Sequence, residues 1–193
     1  MDFRQLFFKL RSYTPIPLLV LLLVTSQPRL GCFLWGLILM LLGELLRLWA
    51  VAHAGGATRT RAVGAPTLVT SGPFAHTRNP LYIANTMIYL GVALLASGKP
   101  IWVAVALGFS VLQYSLIVSL EEETLRQLFG VEYEMYQRSV PRWLPRLTPW
   151  SWSLPRPPDW KDAWRNEKHT RLNLIIVAIV FAVLGVYLWI TGK

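Results

Sequence analysis

Residues 80–120 decide the fold class, and they read PLYIANTMIYLGVALLASGKPIWVAVALGFSVLQYSLIVSL. Two apolar stretches, 80–97 and 100–120, are joined by the residues SGKP, and Lys99 is the single charged side chain in the run. A helix needs about 20 mainly apolar residues to cross the hydrocarbon core of a bilayer. Because Gly and Pro interrupt helices and favour turns, SGKP predicts a tight turn. We therefore predict a helical hairpin inside a membrane.

Three further apolar stretches lie at about 13–25, 30–52 and 172–190. The stretch 30–52 would be about 34 Å long as a helix, which is enough to cross a bilayer. The first stretch is short, and the preceding FFKLRS is expected to lengthen it at the membrane surface. Of the 193 residues 54% are hydrophobic and nine are tryptophan, a composition that suits a protein with two membrane–water interfaces. The sequence thus predicts one all-α, polytopic membrane domain, 1–193, with about five transmembrane helices.

The formal net charge of +9 suggests either a nucleic-acid partner or a membrane protein with basic cytoplasmic loops. The second interpretation fits the apolar composition, so no nucleic-acid partner is expected. With the N-terminus inside, the basic residues outside would be Arg29, Lys99 and Lys193, out of 19 Lys and Arg in all. This bias predicts a cytoplasmic N-terminus and active site, in a bacterial or archaeal plasma membrane.

Cys32 is the single cysteine, so neither a disulfide framework nor a cysteine metal site is expected, and no metal is predicted. The final residues ITGK carry no prenylation signal. The N-terminal apolar stretch lacks a small-residue cleavage site and is expected to be retained.

Two polar regions, 53–79 and 121–171, separate the apolar stretches. The first ends in SGPFAHTRNPLYIAN, where Asn79 fits a helix N-cap and Pro80 fits the first helical position. A helix start explains these two residues but not Arg78 and Tyr82 beside them. The N-terminus of a helix next to an arginine also suits a carboxylate or a phosphate.

The second polar region opens with EEETLRQLFGVEYEMY, residues 121–136. Its three adjacent glutamates form either a solvated acidic face or a site that accepts hydrogen bonds from ligand hydroxyls or balances a ligand cation. The region then becomes PRWLPRLTPWSWSLPRPPDW, whose prolines exclude one continuous helix. Its tryptophans and arginines indicate a segment along the lipid headgroups.

Together these segments resemble a known group of membrane enzymes. LVTSGPFAHTRNPLY, followed by EEETLRQLFGVEYEMYQRSVPRWLP, is similar to the isoprenylcysteine carboxyl methyltransferase and phospholipid methyltransferase superfamily. Its pattern runs roughly L-V-T-x-G-[IP]-[YF], R-[HN]-P-x-Y, E-E-x-x-L, F-G-x-x-Y-x-x-Y and V-P-R-x-x-P. The run NPLYIANTMIYLG also resembles a helix of phosphatidylethanolamine N-methyltransferases. The resemblance covers about residues 65–147 and leaves out the first 50 residues and the extra C-terminal transmembrane helix at about 172–190.

The resemblance implies a helical membrane enzyme that binds S-adenosylmethionine at the cytosolic interface and methylates a lipidic acceptor. It implies backbone contacts to the cofactor from Leu68 and Val69, with Phe74 in place of the commoner tyrosine. The other implied cofactor residues are Asn79, Pro80, Leu81, Tyr82, Glu121 and Glu122. Arg78 suits the cofactor carboxylate, a glutamate suits the ribose diol, and the aromatic faces of Tyr82 and Tyr89 suit a sulfonium.

Four further residues are candidates for catalytic roles. Glu44 and Arg47 lie in the second apolar stretch, either as a mutual pair on the helix surface or facing an active-site cavity. His76 and His53 are candidate proton acceptors, although a lone loop histidine usually is not one.

Two rival functions stay open, an NADPH-dependent membrane reductase of isoprenoid or sterol lipids and a non-catalytic membrane scaffold. The acceptor is also open. In prenylcysteine methyltransferases an arginine often precedes the first matched glutamate by four residues, and here that position is Ile117. A histidine usual in the family is replaced by Pro66. Isoleucine cannot pair a carboxylate, so a phospholipid amine is preferred over an isoprenylcysteine carboxylate unless Arg47 replaces the lost charge.

Overall fold

The computed structural model describes residues 2–55, 66–152 and 155–191, and in these ranges the chain forms eight α-helices and no β-strand. The helices are α1 (Phe3–Leu10), α2 (Pro15–Val24), α3 (Leu30–Ala54), α4 (Pro80–Ala96), α5 (Pro100–Phe129), α6 (Val131–Ser139), α7 (Trp160–Asn166) and α8 (Lys168–Thr191). A 3-10 helix, Gly72–Ala75, lies in the loop before α4. The predicted all-α class is confirmed.

Three helices, α3, α5 and α8, are long and apolar enough to cross a membrane. The bent pair of α1 and α2 counts as a fourth span if it is taken as one unit, and α4 is apolar but only 17 residues long. Each of the five predicted stretches therefore forms a helix, although three or four rather than five qualify as spans by length and composition. The chain is an integral membrane protein.

The residues before the first apolar stretch form a separate helix, α1, which is not collinear with α2. The helices α1 and α2 meet at 62°, with Pro15 and Pro17 in the first turn of α2. Proline has no backbone N–H and cannot continue the hydrogen-bond ladder of a preceding helix, which explains the break. Helix α1 instead packs beside α5, where Phe8 is buried and Arg4 Nη2 lies 2.9 Å from Glu123 Oε2.

The packing of α3 against α4 is the most extensive helix–helix contact in the described chain, and glycines make it possible. A Cβ added to Gly36 would lie 2.7 Å from the carbonyl oxygen of Gly91, and one added to Gly43 would lie 2.8 Å from that of Ala84. Small residues allow this close backbone approach, on which helix association in membranes depends. The packing fixes the positions of α3 side chains relative to the start of α4.

The hairpin predicted around SGKP is present, because α4 ends at Ala96 and α5 begins at Pro100. Helix α5 continues to Phe129, so the three glutamates lie inside a helix and not at its end. The proline-rich segment contains no helix in its described parts, 140–152 and 155–159, as predicted. It returns along the loop before α4, and the two together cover one end of the bundle.

Candidate functional site

A cavity of about 640 Å³ lies between α1, α3, α4, α5, α6 and the start of α8. Its volume falls in the range of pockets that hold small-molecule ligands. All ten residues predicted for the cofactor line it: Leu68, Val69, Phe74, Arg78, Asn79, Pro80, Leu81, Tyr82, Glu121 and Glu122. They come from the loop before α4, the first turn of α4 and the C-terminal part of α5. Segments far apart in sequence therefore share one cavity, which is the candidate site.

The loop before α4 is shaped by Gly72 and held by the proline-rich segment. Gly72 has φ +60°, and a Cβ there would lie 2.5 Å from the ring of His53, so both the turn and the close contact require glycine. The backbone N–H of Arg78 donates to the carbonyl of Pro141 at 2.9 Å. The hydroxyl of Thr77 donates to the carbonyl of Arg142 at 3.1 Å. These hydrogen bonds hold the R-[HN]-P-x-Y motif against the V-P-R-x-x-P motif in the folded chain.

Asn79 and Pro80 occupy the N-cap and first helical positions of α4, as predicted. The Asn79 side chain does not cap the helix, however, because its Nδ2 donates to the carbonyl of Arg142 at 3.1 Å. The residue thus joins the start of α4 to the proline-rich segment.

Arg78, Glu122 and Arg142 form an ionic cluster at the cavity, in which the side chains of Arg78 and Glu122 are buried and that of Arg142 is partly exposed. Arg78 Nη2 lies 2.9 Å from Glu122 Oε1, and Arg142 Nη2 lies 2.5 Å from Glu122 Oε2. Arg78 Nη1 donates to the carbonyls of Gln137 and Val140. The hydrogen bonds that Arg142 donates to the Glu122 carboxylate raise the pKa of the Arg142 guanidinium. Arg78 and Glu122 thus have partners within the protein, and the cofactor contacts predicted for them stay predictions.

Two tyrosines of α6 line the cavity beside this cluster. Burial raises the pKa of Tyr133 to about 12, with a further contribution from the negative charge of Glu122. Burial likewise raises the pKa of Tyr136, whose hydroxyl donates to the carbonyl of Phe74 at 2.8 Å. Both phenols therefore stay neutral at physiological pH and present O–H donors rather than charges.

Glu121, the first of the three adjacent glutamates, faces a row of aromatic side chains. The Tyr82 hydroxyl donates to Glu121 Oε1 at 2.7 Å. The rings of Tyr82 and Tyr114 lie 4.9 Å apart between centroids, and those of Tyr114 and Tyr89 lie 5.9 Å apart. All four side chains line the cavity, so a carboxylate stands at one end of a wall of aromatic rings. Aromatic faces and a carboxylate are groups that stabilise a bound cation.

Arg47 reaches the cavity wall from α3. Its guanidinium donates to Glu167 Oε2 from Nε at 3.3 Å and from Nη2 at 2.9 Å, and it also bonds Asn85 Oδ1. Glu44, one turn earlier on α3, is 3.9 Å away. Arg47 therefore faces the cavity and also lies beside Glu44, so both interpretations of this pair hold in part.

The other predicted catalytic residues lie apart from the cavity lining. Glu44 is buried between helices and does not line the cavity. His76 Nδ1 is 2.8 Å from the carbonyl of Arg146, and His53 Nδ1 is 3.1 Å from that of Trp49. These contacts give both histidines a place in the packing of the loop, so their proton-acceptor roles stay predictions.

Comparison with known proteins identifies the family. The model of the phospholipid methyltransferase family matches residues 32–132, which is more than half of the chain. The chain belongs to the phospholipid methyltransferase family. The matched region begins in α3, so it starts earlier than the sequence motifs indicated. It holds Arg47, the loop before α4, the aromatic row and the glutamates.

Three curated relatives are similar to part of the chain. The cobalt-zinc-cadmium resistance protein CzcN of Cupriavidus metallidurans is 31% identical over 58% of this chain and 49% of its own length. The nickel-cobalt-cadmium resistance protein NccN of Alcaligenes xylosoxydans xylosoxydans is 30% identical over 53% and 44%. The protein-S-isoprenylcysteine O-methyltransferase of Xenopus laevis is 32% identical over 63% and 44%. The chain thus spans about half the length of these relatives, and no solved structure matches it.

Several cavity residues of this phospholipid methyltransferase family member were not predicted from its sequence. Tyr133 and Tyr136 belong to the F-G-x-x-Y-x-x-Y motif, so the motif itself could have indicated them. Asn85 lies within the run NPLYIANTMIYLG, although no role was predicted for it, and Tyr114 lies outside every motif. Glu167 lies outside the matched region, in a basic stretch, and no sequence signal marks it.

Proposed function

We propose that this protein is an S-adenosylmethionine-dependent membrane methyltransferase that acts on a lipidic acceptor, with a phospholipid amine preferred over an isoprenylcysteine carboxylate. One observation carries the proposal: ten residues from two segments, 68–82 and 121–122, converge on a single cavity, in a chain of the phospholipid methyltransferase family. The proposed acceptor side is the part of the cavity near Arg47, and the cofactor side is the part near Glu121.

The residues on the cofactor side fit the chemistry of S-adenosylmethionine, which would supply a methyl group on a sulfonium. Leu68 and Val69 line the cavity from the loop before α4, and Glu121 presents a carboxylate that can accept from ribose hydroxyls. The rings of Tyr82, Tyr114 and Tyr89 offer faces for the positive sulfur, worth about 1–2 kcal/mol in a dry pocket. Position and exclusion of water by these side chains would supply most of the rate acceleration.

The preference for an amine rests on two positions, 117 and 47, where a positive charge could hold an acceptor carboxylate. Ile117, where prenylcysteine methyltransferases often have arginine, is fully buried and packs beside Phe8 and Tyr114. Arg47 could replace that charge, but Glu167 already holds its guanidinium. An acceptor carboxylate would have to compete with Glu167 for Arg47, whereas an amine would not. The isoprenylcysteine acceptor is the second candidate because of the similarity to the Xenopus enzyme.

Thermal melting of the purified protein tests the cofactor. We expect S-adenosylhomocysteine to raise the melting temperature and NADPH to leave it unchanged. Stabilisation by NADPH alone would favour a reductase, and no response to either would favour a scaffold.

A side-by-side assay tests the acceptor. Labelled S-adenosylmethionine is supplied with phosphatidylethanolamine or with a farnesylcysteine analogue, and the methylated lipid is identified by mass spectrometry. We expect more product from phosphatidylethanolamine. Robust methylation of farnesylcysteine that Arg47→Ala abolishes would show that Arg47 binds a carboxylate and that the amine preference is wrong.

A further inference from the structure

A second, basic pocket lies on the surface where α7 meets α8, away from the cavity. It is lined by Lys161, Trp164, Arg165, Lys168 and Arg171. Four positive side chains thus share one small depression with one indole ring. Such a concentration of like charge is unfavourable by itself and becomes favourable when an anion lies among the cations.

The acidic residues nearby do not neutralise this pocket. Asp159 Oδ1 accepts from the backbone N–H of Asp162 at the start of α7, and Asp162 Oδ2 accepts from Asn166. Glu167 points to the other side and holds Arg47. In the described part of the chain, no salt bridge joins any of the four basic residues to an acid. The pocket therefore keeps its positive charge.

Arg171 is held in place by two contacts with Trp164. Its guanidinium carbon lies 3.7 Å from the ring centroid of Trp164, and Nη2 donates to the Trp164 carbonyl at 2.6 Å. Nη1 is buried, and no acceptor for it occurs among the described residues. The guanidinium also lines the pocket, and phosphate oxygens are strong hydrogen-bond acceptors for arginine.

The position of the pocket along α8 indicates the source of the anion. Lys168 is the first residue of α8, which is a membrane-spanning helix by its length and composition. Trp160 and Trp164, 54% and 61% exposed, lie on the adjoining turn, and tryptophan concentrates at the headgroup level of membranes. The pocket thus opens where phospholipid phosphates lie.

We propose that this pocket binds the headgroup of an anionic phospholipid, with the phosphate between Lys161, Lys168 and Arg171. Clusters of Lys and Arg next to a transmembrane helix attract anionic lipids, by roughly fivefold in affinity for each basic residue. The site is separate from the cavity, so the proposal does not depend on methyl transfer. The natural ligand of the pocket is thus a lipid and not a soluble phosphate compound.

Native mass spectrometry of the full-length protein in detergent tests the proposal. The protein is offered phosphatidylglycerol and phosphatidylcholine with identical acyl chains. We expect the wild type to retain phosphatidylglycerol preferentially. The double variant Lys161→Gln/Lys168→Gln should lose roughly 25-fold in affinity for phosphatidylglycerol, because two charges are removed. Its affinity for phosphatidylcholine should not change.

A matched control removes two other exposed positive charges. The double variant Arg126→Gln/Arg138→Gln has the same net charge but leaves the pocket intact, so it should bind phosphatidylglycerol like the wild type. Equal loss in both double variants would show only a general effect of charge and would overturn the site. Equal binding of the two lipids by the wild type would also overturn it.

Two additional measurements complete the test. Arg171→Gln, with folding checked by its melting temperature, should weaken phosphatidylglycerol binding while leaving any stabilisation by S-adenosylhomocysteine unchanged. Glycerol phosphate at millimolar concentration should fail to displace the lipid. Complete displacement would mean that the pocket binds a soluble phosphate compound and that a lipid is the wrong partner.

Discussion

Replacing Glu122 with glutamine should unfold the protein more easily, whereas the same change at its neighbour Glu121 should mainly weaken ligand binding. Glu122 is 4% exposed and pairs with two arginines, and the Arg78 side chain is 8% exposed. Removing one partner of a buried ion pair costs about 3–5 kcal/mol. Arg142 is 42% exposed and can regain water, and glutamine keeps an acceptor oxygen, so we expect about 3 kcal/mol.

This loss can be measured as a melting temperature. A chain of this size melts roughly 2–4 °C lower for each kcal/mol, so Glu122→Gln should melt roughly 6–12 °C below the wild type. Arg142→Gln removes the more exposed partner and should lower the melting temperature by less. Glu121→Gln keeps an acceptor for the Tyr82 hydroxyl and should melt within about 2–4 °C of the wild type, because the change costs about 1 kcal/mol or less.

The ligand then separates the two glutamates. If Glu121 accepts hydrogen bonds from the ribose, Glu121→Gln should weaken S-adenosylhomocysteine binding by about 1.5–3 kcal/mol, or roughly 10- to 150-fold. Isothermal titration on the folded variants measures this change. The reasoning is refuted if Glu122→Gln melts like the wild type, or if Glu121→Gln is the less stable of the two and binds the ligand normally.

Two further predictions concern packing and topology. Gly36→Ala should destabilise the protein by about 2 kcal/mol, because the new Cβ would lie 2.7 Å from the Gly91 carbonyl oxygen. Gly108→Ala meets no atom within 4 Å and should be neutral or stabilising, so similar melting losses for both would contradict the packing of α3 on α4. In a Cys32→Ser background, single cysteines at Thr148 and Thr191 should react differently with an impermeant thiol reagent on intact cells: we expect labelling at position 191 alone. Labelling at position 148 would reverse the proposed orientation.

The parts of the fold that the sequence predicted are those set by local patterns. Apolar stretches predict helices because burial of backbone polar groups in lipid leaves few alternatives. The residues of SGKP predict the turn before α5 because glycine and proline act locally. The bend between α1 and α2 also has a local cause at Pro15, but its angle depends on the packing of α1 beside α5.

The candidate site was predictable where a motif marks it and not where partners are distant. The ten predicted residues of the loop before α4, the first turn of α4 and positions 121–122 of α5 were found through short motifs, and all ten line the cavity. The partner of Arg78 was not, because Glu122 lies 44 residues away and reaches it only after α5 packs. From the sequence, Arg78 is an arginine in a loop that could bind a ligand. The tertiary structure is needed to show that Glu122 is its partner.

The ion pair between Arg47 and Glu167 can form only late in synthesis, which affects the partly synthesised chain. The two residues are 120 positions apart, so at about 5–20 residues per second Glu167 is made roughly 6–24 s after Arg47. During that interval α3 has already been synthesised with a guanidinium in a largely apolar helix, where an isolated charge is unfavourable. Glu44, three residues earlier and 3.9 Å away, is made before Arg47 and accompanies it from the start. Until Glu167 has been synthesised, Glu44 is therefore the nearby carboxylate that can balance the charge of Arg47 in the nascent chain.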